Sequence, residues 1–171
     1  MTKTAIAFAL IALAVFTAPP VAEAREEVLV EVTSISASTH TLGRSAAPEV
    51  DARLAGFAKK LKALFAYTHY AFLGKSQARA TYGGSAAIQL PERFSLEVEP
   101  ERRARGEDDR IDMVVTLLRD VGEDRPGAGR SESREEVVLR TRIRLENGGT
   151  VLLGGPPIAG GVLILALSAR G

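Results

Sequence analysis

Arg140, Arg142 and Arg144 take alternate positions in the stretch "VVLRTRIRLE". Alternate residues of an extended strand share a face, so this spacing sets the guanidinium groups in a row about 7 Å apart. Such a row can grip phosphate or carboxylate groups of a partner. With net charge near zero, the commoner outcome for such a row is a solvated sheet face, with Glu97 and Glu99 on a neighbouring strand as cross-strand partners.

Other candidates fall short of a reactive centre. His40 and His69, the only histidines, lie in "STHT" and "YTHYAF" without zinc-ligand spacing, so no metal is expected. A hydrolase using His69 would need a nucleophile, but there is no Gly-x-Ser-x-Gly turn, and Gly84-Ser85-Ala86 lacks its flanks. Asp108, Asp109 and Asp112 fall in an arginine-rich turn, where a carboxylate is ordinarily solvated or ion-paired. Tyr67, Tyr70, Phe72 and Tyr82 form an aromatic group that either lines a small apolar pocket or receives a helix.

The glycine-rich tail raises a phosphate loop only to exclude it. "GPPIAG", residues 155–160, is followed by Gly161 and Val162, where that loop needs Lys and Ser or Thr. Pro156 and Pro157 also remove two of the N–H donors that would cradle an anion. Asn147-Gly148 instead marks a tight hairpin turn between a strand over 137–146 and one over 150–153. Residues 154–161 then read as a broad reversal into a C-terminal strand, "GVLILALSA". No nucleotide or other cofactor is expected.

Stepping outward from these residues, the rest of the chain supplies the scaffold. "EEVLVEVTSIS" alternates as a strand covered on both sides. In "PEVDARLAGFAKKLKALF", residues 48–65, Val50, Leu54, Phe57, Leu61, Leu64 and Phe65 make one apolar helical stripe. Pro48 suits the first helical turn, and acids lead while lysines trail, as the helix dipole favours. "AAIQL", "FSLEVE" and "IDMVVTLL" add further strands. The expected fold is α+β: one amphipathic helix packed on a mainly antiparallel sheet or sandwich of about six to seven strands. The polar stretch 120–136 is expected to be a flexible loop.

Residues 1–24 carry a lysine, an apolar run from Ala5 to Phe16, a Pro19-Pro20 break and Ala22-Glu23-Ala24, the parts of a secretory signal peptide. The apolar run falls short of the roughly 20 residues needed to span a bilayer. Cleavage after Ala24 would leave residues 25–171 as a single domain. The absence of cysteine excludes a disulfide framework, thiol catalysis and thiolate metal sites. A net charge of +1 makes no electrostatic case for nucleic acid.

Residues 139–155, "LRTRIRLENGGTVLLGG", resemble the strand–turn–strand core of bacterial secretins at Thr141, Gly149, Val151, Gly154 and Gly155. The pattern of the whole chain is also similar to that of small secreted proteins of Gram-negative bacteria. The resemblance implies an envelope location. Together these readings lead to an expectation of an exported, periplasmic or envelope-associated protein that is not an enzyme. It would bind an envelope protein or anionic envelope polymer through Arg140, Arg142, Arg144, Tyr67 and Tyr70. The alternatives are a carrier for a small apolar ligand and, further off, a hydrolase.

Overall fold

The structure, a computed structural model, describes residues 26–39, 50–101, 109–122 and 134–171. The expected signal segment 1–24, His40, Pro48, Asp108 and most of the stretch 120–136 lie outside the described residues.

Among the described residues, β-branched and aliphatic residues at period two build eight strands in two antiparallel sheets. The first sheet contains β1 (Glu27–Ser38), β2 (His69–Thr81), β7 (Thr150–Ile158) and β8 (Gly161–Arg170), in the order β2-β1-β8-β7. The second contains β3 (Ala86–Leu90), β4 (Phe94–Pro100), β5 (Arg110–Asp120) and β6 (Glu135–Glu146), in that order. Val28, Val30, Val32, Leu163, Leu165 and Leu167 of the first sheet meet Leu96, Val98, Met113, Val115 and Leu117 of the second in one apolar core.

The expected α+β class is therefore corrected. Two sheets pack on each other, and among the described residues helical structure amounts to a 3-10 turn over Ala52–Phe57 followed by helix α1 (Ala58–Leu64). Asp51 starts this segment by accepting the Arg53 backbone N–H at 2.9 Å. Leu54 and Leu61 are fully buried beside Ile35, Ala37, Tyr70, Ile164 and Ala166, while Leu64 is 66% exposed. Seven α-helical residues cover only one end of the outer face of the first sheet.

The strand missing from the sequence reading is β2. Its pairing with β1 shifts between Ser34 and Ile35, leaving Leu73 as an extra residue on β2. This bulge reverses the parity of the strand. Tyr70 and Phe72 therefore face the helix, whereas Ala78 and Ala80 face the core between the sheets. No single alternation runs through the segment, and the periodicity is hidden.

The tail is strand, as its alternation requires, but the reversal is tighter than expected. β7 continues through Gly154–Pro157 with a register shift, and only Ala159 and Gly160 connect it to β8. Pro156 and Pro157 are tolerated because β7 is an edge strand. Gly161 has φ +145°, and an added Cβ would run into the Ala37 carbonyl.

Asn147-Gly148 does not make a paired hairpin. β6 and β7 belong to different sheets, so the turn is a corner between them. Gly149 N–H donates to the Glu146 carbonyl at 2.7 Å, and Gly148 has φ +77°. Asn147 keeps a negative φ, which matches a type II turn rather than type I′. The type I′ geometry occurs instead between β3 and β4, on Glu92 (φ 62°) and Arg93 (φ 60°).

Candidate functional site: the arginine edge of the second sheet

Among the described residues β6 is an edge strand, hydrogen-bonded to β5 alone. Arg140, Arg142 and Arg144 lie opposite Thr116, Val114 and Asp112 and share the outer face of the sheet. The row expected from the sequence is thus present. The acids beside it are others than expected. Arg144 Nε donates to Asp112 Oδ1 at 2.6 Å, and Arg142 Nη2 donates to Glu101 Oε1 at 2.7 Å. Glu97 and Glu99 sit on β4, opposite Thr116 and Val114, with β5 between them and the arginines. Two strand spacings, about 10 Å, separate the two rows. Arg140 is exposed and has no acidic partner among the described residues.

On the inner side of β6, Leu145 and Ile143 are buried near the Asn147 corner, whereas Thr141, Leu139 and Val138 are half-buried farther along. Val138 is the extra residue of a bulge, which turns Val137 outward to 59% exposure. Across the sandwich, Val151, Leu153 and Ile158 of β7 are also half-buried against the same core. The β6 and β7 edges therefore flank an incompletely covered apolar seam. At one end Asn147 holds it, donating to Asp109 Oδ1 at 3.2 Å and accepting from Gly171 N–H at 3.2 Å. At the other end Arg119 Nη2 donates to the Pro157 carbonyl at 3.4 Å, with its guanidinium 4.9 Å from the Phe94 ring.

Tyr67 and Tyr70 are not part of this edge. They lie with α1 on the outer face of the first sheet, on the opposite side of the sandwich. Tyr70 is buried, and its hydroxyl donates towards the carbonyls of Leu61 (3.2 Å) and Phe65 (3.0 Å). Phe72, beside them, carries the Arg53 guanidinium 4.3 Å from its ring. The same guanidinium binds Asp51 at 2.6 Å and holds that carboxyl well below the usual carboxylate range, with the Arg53 N–H adding to the effect. Asp120 is also lowered, first by the Gly122 N–H and then by Arg93.

His69 Nδ1 lies 2.9 Å from Thr68 Oγ1, and Ser85 is in the connection between β2 and β3. Among the described residues no group of three His, Asp or Glu could hold a metal ion. The seam was missed in the sequence because it depends on which two strands become edges. The one available signal was the Pro156-Pro157 pair, which already marks β7 as an edge.

No protein family and no curated protein matches the chain. Among solved structures, it is similar to the T2SS secretin XcpQ from Pseudomonas aeruginosa, at 11% identity and a TM-score of 0.38. The similarity covers 85% of this chain and 59% of that chain, so the protein spans less than two thirds of the secretin. A secretin is thus a distant structural neighbour. No helix among the described residues is long and apolar enough to cross a membrane.

Proposed function

We propose that this protein is an exported, non-enzymatic component of the periplasm or cell envelope that binds another envelope component through the arginine edge of β6. The observation that carries the reading is Arg140. It extends a row of guanidinium groups along an edge strand and is the member left without an acid among the described residues. A planar, permanently charged fork in that position favours a carboxylate or phosphate brought by a partner. Export is supported by the tripartite character of residues 1–24.

The test is cross-linking in the native envelope, comparing the protein with its R140Q/R142Q/R144Q variant. The reading expects the attached component to be lost from the variant while the melting temperature stays within a few degrees. Among the described residues the ion pairs removed are Arg142–Glu101 and Arg144–Asp112, each worth about 0–1 kcal/mol. Undiminished cross-linking would overturn it.

A further inference from the structure

We infer that the seam between β6 and β7 accepts an extended, acidic segment of a partner protein, added as a strand to the free edge of β6. The inference rests on the arginine-edge reading and names the partner's chemistry. An edge strand presents unpaired N–H and C=O groups, a template for another chain. β6 is the edge best suited to this. β7 carries Pro156, Pro157 and a register shift, and β3 has five residues against the twelve of β6. The remaining edge, β2, is stitched to β3 by Ser76 Oγ donating to the Gln89 carbonyl at 2.9 Å. No backbone hydrogen bond joins β6 to β7 among the described residues.

Both faces of an added strand would find complementary surface. Alternate side chains would fall towards half-buried Val138, Leu139, Val151 and Leu153. The intervening ones would fall beside Arg140, Arg142 and Arg144. The chemistry that fits is an extended segment alternating apolar and acidic residues. A second copy is disfavoured, since β6 against β6 would set arginine row beside arginine row.

The experiment titrates the protein with a ten-residue peptide alternating valine and glutamate. Its controls are two N-methylated twins of that peptide, each blocked at the alternate backbone nitrogens of one edge, and polyglutamate. Amide exchange over residues 135–146 is followed in parallel. The expected result is slowed exchange in β6 and binding at least about tenfold tighter than that of the twin blocked on the edge facing β6, while the twin blocked on the outward edge binds like the unmodified peptide. R140Q/R142Q/R144Q should lose most of it. Equal binding by polyglutamate, sensitive to the arginines but without β6 protection, would overturn strand addition and leave the arginine edge standing. No binding by any probe would overturn strand addition, while envelope cross-linking would still decide the arginine-edge reading separately. A dimer in solution whose contact protects β6 would assign the edge to a second copy and overturn the inference.

Discussion

The Tyr70 hydroxyl lies 3.0 Å from the Phe65 carbonyl, just past the end of α1, and ties the short helix to the sheet beneath it. The last carbonyls of a helix have no partner within it, so a buried donor at that point closes the segment. Tyr70→Phe should leave those buried carbonyls without that donor and cost about 1–3 kcal/mol. Urea unfolding would measure it. A change indistinguishable from zero would mean that the helix is not held there.

The apolar stripe of the helix divides sharply on docking. Leu61 is fully buried and Leu64 mostly exposed. Leu61→Ala should cost about 2–5 kcal/mol, and Leu64→Ala should stay within about 0.5 kcal/mol. Comparable losses in the two variants would contradict the placement of α1.

Glu92 and Arg93 both adopt positive φ in the β3–β4 turn without being glycine. Arg93 is held by its Nη2 donating to the Gly122 carbonyl at 2.6 Å, whereas the Glu92 side chain makes no hydrogen bond or ion pair among the described residues. Asn suits the first central position of such a turn, so Glu92→Asn should stabilise the protein by about 0.5–1 kcal/mol. Thermal unfolding gives the sign directly, and a lower melting temperature would refute it.

Asp51 provides a pH test. Its folded-state pKa is depressed below the ordinary 3.8 by the Arg53 side-chain hydrogen bond and the Arg53 N–H. A depressed carboxylate contributes stability that is fully present above the unfolded pKa and is lost as the pH falls towards the folded value. Wild type and Asp51→Asn should therefore differ at about pH 6 and converge as the pH is lowered below about 4. A gap independent of pH would show that the charge of Asp51 is not what stabilises the turn.

Much of the local structure was legible. Val28, Val30 and Val32 alternate because a pleated strand sends successive side chains to opposite faces, and they face the core as that rule requires. The arginine row follows from the same rule. β2 was illegible because the Leu73 bulge breaks the alternation within the strand. The Asn147-Gly148 turn was misread in its pairing, since a turn signal reports that the chain reverses but not whether the strands it joins share a sheet. Tyr67 and Tyr70 belong to an aromatic group whose sequence suits a pocket or a helix seat, and they lie with α1 on the side of the sandwich away from the arginines.

What the residues decided alone was periodic and short in range: strand faces, the guanidinium spacing, the apolar stripe of the helix, and a glycine tail unsuited to phosphate. Which strands became edges was decided only in the folded molecule, through pairings such as Ile35 with Ile164 that join distant parts of the chain. The physical reason is that side-chain alternation is a property of each strand by itself. The open seam beside β6 exists only because two corner turns divide the strands between two sheets and leave β6 and β7 facing each other unpaired.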